Sequence, residues 1–276
     1  MRSGLHRAFL AASVLIAGPL GAQWFHYPTS GVPRLPNGKP NLNAPAPKTA
    51  DGKPDLSGIW LIANALPCPK DLREGDDCIE KIPLSHEAVD FGANVPGGLP
   101  YQPWAAELVK QRVADLSRDD PHARCMPPNF PRAFAFPHHQ KFIQLPGLLV
   151  ILDEFNASYR QIFTDGRPFP EDPQPAWNGY SSGKWDGDTL VVESIGFRDD
   201  LWLDMKGDPM TGAAKVTERF RRPNYGTLEI EVTVNDLKAY TRAWTVTLKE
   251  AIQVDTELAD EICLENEKSV RHMTGK

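Results

Sequence analysis

The chain beyond residue 140 is a succession of short stretches with alternating apolar and polar residues, separated by tight-turn sequences. Pairs such as Pro146-Gly147, Asn156-Ala157 and Asp186-Gly187 stand between these stretches. Period-two alternation is typical of strands with one buried face, and short turns of this composition join antiparallel neighbours. The predicted strands are 56–60, 141–145, 148–155, 158–164, 181–185, 188–197, 215–222, 227–234, 239–250 and 257–266.

These strands predict a mainly β protein, an antiparallel up-and-down barrel of about 8–10 strands, because closure leaves no unpaired edge. A two-layer sandwich is the alternative. Two helices are predicted after the first strand. Ser85 is placed to cap one over 86–91, and apolar residues at helical spacing predict the other over 103–117. We therefore expect a single barrel domain over 56–268 with an insertion at 63–135 and a tail at 269–276.

The N-terminus reads as a secretion signal. Arg2 and Arg7 precede a 13-residue uncharged stretch, and small residues follow it, so cleavage is predicted near Ala22. This stretch is shorter than the roughly 20 residues that span a bilayer. Residues 23–55 are rich in proline, which disfavours helix and central strand, so an extended arm or linker is predicted there. The expected location is the periplasm or the exterior.

Four cysteines in an exported chain indicate two disulfides. We favour Cys68–Cys78 and Cys125–Cys263 among the three possible pairings. Removal of residues 1–22 takes away two arginines and no acid, which changes the net charge from −6 to −8. This charge disfavours nucleic acid as a partner. No membrane-spanning stretch is predicted in the mature chain, and nothing indicates an oligomeric state.

Strand alternation also predicts which charged side chains face the interior. It places Glu154, Glu218 and Arg242 on faces whose other members are apolar. Those members are Leu148, Val150 and Leu152; Val216 and Phe220; and Tyr240, Trp244, Val246 and Leu248. A buried carboxylate must be paired or protonated. The two glutamates therefore form either an internal network with arginine or an acid/base pair in a cavity, unless a one-residue register slip turns them to solvent.

Further candidate ligand-binding residues are spread over the β region. They are Trp60, Trp185, Trp244, Tyr240, Arg160, Arg219, Arg242 and His138. His138 and His139 are adjacent, so in a strand they would point to opposite faces and could not share a metal ion. Together with the absence of zinc, haem, phosphate-loop and dinucleotide motifs, this leads us to predict no metal and no cofactor.

Six blocks of the chain resemble a large family of exported bacterial proteins of unassigned function. They are DLSGIW at 55–60, TDGRP at 164–168, GKWDGDTLVV at 183–192, ERFRR at 218–222, YTRAW at 240–244 and CLEN at 263–266. The resemblance spans roughly 54–268 and implies no chemistry. The chain departs from the family pattern at Ala243, where a proline is expected.

Gly58-Ile59-Trp60 at the first strand is also similar to the start of a lipocalin. The resemblance implies that Trp60 closes one end of the barrel and stacks with an arginine from a late strand, with Arg160, Arg219 or Arg242 as candidates. We therefore expect a lipocalin-like protein that binds a small, largely apolar or aromatic molecule in the barrel. The alternatives are a hydrolase, lyase or isomerase that uses Glu154 and Glu218, and a cell-envelope protein that binds a partner through the proline-rich arm.

Overall fold

The computed structural model describes residues 28–63 and 85–266. The strands are β1 (Gly58–Ile62), β2 (Gln140–Leu145), β3 (Leu148–Asp153), β4 (Ser158–Phe163), β5 (Tyr180–Asp186), β6 (Thr189–Ile195), β7 (Leu201–Trp202), β8 (Pro209–Met210), β9 (Lys215–Asn224), β10 (Thr227–Asn235) and β11 (Trp244–Gln253). The helices are α1 (His86–Val89), α2 (Pro103–Ala114) and α3 (Cys263–Asn266), with 3₁₀ helices His122–Arg124 and Arg132–Ala135.

Nine of these strands close into a barrel in the order β1-β11-β10-β9-β6-β5-β4-β3-β2, and β7 and β8 pair separately. The predicted mainly β barrel, with helices inserted after the first strand, is confirmed. The Ser85 cap is also present, since its hydroxyl accepts the Ala88 N–H at 3.0 Å. Some predicted elements differ. The two predicted helices end earlier, at Val89 and Ala114, the strand predicted at 239–250 begins only at Trp244, and α3 occupies the end of the predicted strand 257–266.

One junction of the barrel is parallel rather than antiparallel. β4 and β5 run in the same direction, with Ile162 opposite Ser181, while the other neighbours are antiparallel. A ring with an odd number of strands cannot alternate direction at every junction, so a nine-strand ring requires a parallel pair. The proline-rich connection 164–179 provides the length to return along the barrel.

The interior of the barrel is filled by the chain itself. Residues 129–136, which we call the plug segment, contain the 3₁₀ helix Arg132–Ala135 and enter one end. The ring of Phe134 lies edge-on to Phe220 of β9 at a centroid distance of 5.8 Å and contacts Phe130 at 4.7 Å. All three rings are buried. An ion pair between Arg132 and Asp120, with both side chains buried, holds the plug segment in place.

The described part of the arm covers the opposite end. Ala44 O accepts the Tyr225 N–H at 2.8 Å in the β9–β10 turn, and Lys53 Nζ donates to Gly187 O at 3.2 Å in the β5–β6 turn. Gln144 Oε1 on β2 accepts the Leu56 N–H at 2.8 Å. These bonds hold the described part of the arm against the barrel end that contains the β5–β6 and β9–β10 turns.

Cys125 and Cys263 form a disulfide, as predicted. It ties the insertion to the C-terminal segment across 138 positions of sequence. Cys68 and Cys78 lie outside the described residues, as does the predicted signal sequence, so both remain predictions. Among the described residues no helix has the length and apolar character needed to cross a bilayer.

Candidate functional site

Arg160 of β4 and Glu218 of β9 form an ion pair inside the barrel. The two side chains meet through both guanidinium nitrogens, with Nη1 at 2.8 Å from Oε1, and they are only 2% and 0% exposed. Arg160 Nη2 also donates to Ser194 Oγ at 2.9 Å and to Ser181 Oγ at 3.1 Å. The inward position predicted for Glu218 is observed, and Arg160 is the arginine, among the candidates named from the sequence, that pairs with it. Protein partners satisfy both charges. For Glu218, the structure therefore has the internal network with arginine and not the acid/base pair in a cavity.

The inward position predicted for Glu154 is wrong. In β3 the buried side chains are Leu149, Ile151 and Asp153, so Leu148, Val150 and Leu152 face the other way. Glu154 follows the strand, and its Oε1 lies 3.0 Å from His139 Nδ1. The hydrogen bond between these two atoms raises the pKa of the His139 imidazole. Apolar residues occupy both faces of β3, and a one-residue slip exchanges the faces. Glu154 and Glu218 therefore do not form an acid/base pair.

Besides Glu218, two carboxyls lie on the inward faces of barrel strands, and they were not predicted from the sequence. Asp153 and Glu250 are buried in the barrel, and Gln140 Nε2 donates to Asp153 Oδ2 at 3.2 Å. Burial raises the pKa of Asp153 to about 7. Burial, reinforced by the charge of Asp153, raises the pKa of Glu250 well above its usual range. Glu250 follows Trp244, Val246 and Leu248 on the buried face of β11, so its position was readable from the alternation.

Trp60 is fully buried and donates from its indole N–H to Leu56 O at 3.0 Å, and the arginine that stacks on it is none of the three candidates. The Arg222 guanidinium carbon lies 4.8 Å from the Trp60 ring centroid. Arg160 instead binds Glu218, Arg219 pairs with Asp186 at the surface, and Arg242 is exposed. The prediction that Arg242 faces inward is wrong because β11 begins only at Trp244, so the alternation does not extend back to residue 242.

Tyr240 and Trp244 belong to the packed core at the plug end. Tyr240 is fully buried and donates from its hydroxyl to Pro209 O at 2.8 Å. The Trp244 ring packs edge-on against Tyr240 at 5.4 Å and against Phe91 at 6.1 Å. These contacts give both residues a packing role, and neither side chain is accessible to a ligand.

Trp185 lines a cavity of about 440 Å³ at the arm-covered end, which we call the barrel-end pocket. Its floor consists of inward-facing residues of the barrel, Leu149 and Leu190, and its rim includes the exposed side chain of Leu145. The complete lining is Thr49, Ala50, Asp51, Gln144, Leu145, Pro146, Gly147, Leu149, Thr164, Trp185 and Leu190. Apolar walls with a few polar groups at the edge are typical of small-molecule sites.

A second cleft, of about 560 Å³, lies between α2 and residues 117–126 and is more strongly charged. Arg112 covers the Trp202 ring at 4.1 Å, and Arg198 covers the Trp177 ring at 4.9 Å. The indole faces in this cleft are therefore already occupied by guanidinium groups of the same chain.

His138 lies outside both cavities. Its Nδ1 is 3.4 Å from Glu261 Oε2, on the segment that precedes the Cys125–Cys263 disulfide. His138 and His139 precede β2 rather than lying in it, so the strand argument that separated them does not apply.

Comparison of the chain with protein-family models and with curated proteins found no match. The resemblance to the exported bacterial family remains a prediction.

The Arg160–Glu218 pair predicts strong energetic coupling between the two positions. Arg160→Met leaves a buried carboxylate without its cation, which should lower the free energy of unfolding by about 3–5 kcal/mol. The double variant Arg160→Met/Glu218→Leu removes both charges and should be more stable than Arg160→Met alone. Urea-induced unfolding of the wild type, both single variants and the double variant measures the coupling. Additive losses would contradict the account.

The raised pKa values of Asp153 and Glu250 predict a pH dependence of stability. An unfolded carboxyl titrates near pH 4, so between about pH 4 and the folded pKa the native protein binds more protons than the unfolded chain. Stability contributed by the protonated groups is therefore lost as pH rises through this window. Asp153→Asn and Glu250→Gln should each show a smaller loss between about pH 4.5 and about pH 7.5 than the wild type.

Urea midpoints at the two pH values measure this difference, and the exposed Asp188→Asn serves as the control variant. If Asp153→Asn and Glu250→Gln both keep the wild-type dependence on pH, the protonation states assigned to these carboxyls are wrong.

Proposed function

We propose that the protein is an extracytoplasmic, lipocalin-like binding protein that takes a small, largely apolar or aromatic molecule in the barrel-end pocket. The observation that carries this proposal is the composition of the pocket. Its floor is formed by inward-facing side chains of the barrel, Leu149, Leu190 and Trp185, and the arm supplies one wall at residues 49–51.

Elsewhere in the described barrel, side chains of the chain itself take up the interior. Phe134 and Phe220 occupy the space that a lipocalin ligand would take, and the Arg160–Glu218 pair lies beyond them, fully enclosed. We therefore place the ligand site at the arm-covered end of the barrel and not in its centre, because inward-facing residues reach an opening there.

The chemistry of the barrel-end pocket favours an apolar ligand with an aromatic ring. Trp185 is half-buried and offers part of its ring, and Lys53 Nζ lies 6.0 Å from the ring centroid. Leu145 is 48% exposed and adds apolar surface to the rim of the pocket. Asp51 and Thr49 provide polar groups at the edge of the pocket.

The extracytoplasmic location rests on the predicted signal sequence, and the Cys125–Cys263 disulfide is compatible with it. The enzyme alternative loses its proposed pair, because Glu154 lies in the β3–β4 turn, bonded to His139, whereas Glu218 is engaged by Arg160 inside the barrel. No observation favours the partner-binding alternative, since the described part of the arm is bonded to its own barrel.

Binding of an aromatic apolar probe tests the proposal. With 8-anilinonaphthalene-1-sulfonate as the probe, we expect saturable fluorescence enhancement by the folded protein. Leu145→Asp places a charge on the rim of the barrel-end pocket and should raise the probe Kd by about tenfold or more. Because Leu145 is half exposed, the substitution should leave the unfolding midpoint near that of the wild type.

The matched control is Leu237→Asp, at a leucine that is 62% exposed and lies outside the pocket. This variant should bind the probe as the wild type does. Equal probe affinity for Leu145→Asp and Leu237→Asp, or no saturable binding by the wild type, would contradict the proposal.

A further inference from the structure

We propose that His138, Glu154 and Glu261 form a binding site for a divalent transition-metal ion of the Zn²⁺ class, beside the Cys125–Cys263 disulfide. One donor atom from each side chain lies within 4.8 Å of the other two. The three residues come from separate parts of the chain: the segment before β2, the β3–β4 turn and the segment before α3.

The spacing of the donors fits a small metal ion. His138 Nδ1 and Glu261 Oε2 are 3.4 Å apart. Two ligands on a tetrahedral ion with bonds of about 2.1 Å are separated by about 3.4 Å, so this pair already has the required separation. Because all the donor atoms lie within 4.8 Å of one another, no donor pair needs to close by more than about 1.4 Å, which rotation of a glutamate side chain provides.

The backbone around the site is held in position before any ion binds. Glu261 N donates to Glu154 O at 2.8 Å, and Asn156 N donates to Glu261 O at 2.6 Å. The Asn156 side chain bonds both halves of the disulfide, with Nδ2 donating to Cys125 O at 2.6 Å and Oδ1 accepting Cys263 N–H at 3.2 Å. A preformed site lowers the entropy cost of binding an ion.

A further polar contact supports the assignment of Glu154. His139 Nδ1 lies 3.0 Å and 3.1 Å from the two carboxylate oxygens of Glu154, and His139 N also donates to Oε1. A neighbour that orients a ligating carboxylate in this way is common around protein-bound metals. His139 is therefore a positioning residue and not a ligand.

The surroundings of His138 provide an independent observation. Its side chain is 12% exposed, and its Nε2 is buried with no hydrogen-bond partner among the described residues. One ring nitrogen thus faces two carboxylates while the other has no acceptor that would fix the ring. Nδ1 is therefore the ring nitrogen with polar neighbours, and its contact with Glu261 directs it toward the carboxylates of the proposed site.

The ligand set selects the class of ion. Imidazole nitrogen together with carboxylate oxygen suits Zn²⁺ and its neighbours in the first transition series, whereas Ca²⁺ and Mg²⁺ prefer oxygen alone. Three protein ligands leave a fourth tetrahedral position, and Glu261 is 54% exposed, so that position is open to solvent.

The test uses the mature protein, stripped of metal with a chelator, and Zn²⁺ or Co²⁺ alone as the probe. We expect one Zn²⁺ per chain by isothermal titration calorimetry, a rise in Tm with added Zn²⁺, and Co²⁺ visible bands of a four- or five-coordinate site. Glu261→Gln should raise the Zn²⁺ Kd by at least about tenfold, and His138→Asn by more.

Glu257→Gln is the matched control, because Glu257 lies on the same segment and pairs with Lys141 at the surface. It should bind Zn²⁺ as the wild type does. Glu261 is more than half exposed, so Glu261→Gln is expected to fold even if His138→Asn does not. Wild-type Zn²⁺ affinity in Glu261→Gln, or no calorimetric binding to the wild type, would overturn the proposal.

Discussion

A closed ring of nine strands encloses a space that its own inward-facing side chains do not fill, and the molecule is arranged around that constraint. Barrels of this size either pack their interior or hold one small ligand. In this chain the interior is packed. Phe134 of the plug segment lies against Phe220, and the Arg160–Glu218 ion pair is buried inside the same barrel. The buried Arg132–Asp120 ion pair anchors the plug segment at its entrance.

Filling the interior moves both proposed sites to the edge of the barrel. The barrel-end pocket lies under the arm, where Trp185 and Leu190 reach the opening. The proposed metal site lies at the opposite end, where the disulfide draws Glu261 against the β3–β4 turn. One end therefore offers an apolar surface and the other a set of metal-binding side chains, and the packed core separates them.

The alternation of apolar and polar residues predicted the fold class correctly. It also predicted which side chains of β9 face inward, because polar residues separate Val216, Glu218 and Phe220. It failed on β3, where apolar residues on both faces make the register unreadable, and so it named Glu154 instead of Asp153. It placed Arg242 inside by extending β11 past its start at Trp244. The plug segment and the approach of Glu261 to His138 depend on long-range packing and a disulfide, which local periodicity does not encode.

The plug segment is a permanent part of the core and not a displaceable lid, and amide hydrogen exchange tests this most directly. The N–H groups of Ala133, Phe134 and Phe136 donate to backbone carbonyls within the plug segment. We predict that these amides exchange as slowly as the central amides of β9 and β10, which open only on global unfolding. Exchange as fast as that of the connection 164–179 would show that the plug leaves the barrel, and the interior would then be the ligand site.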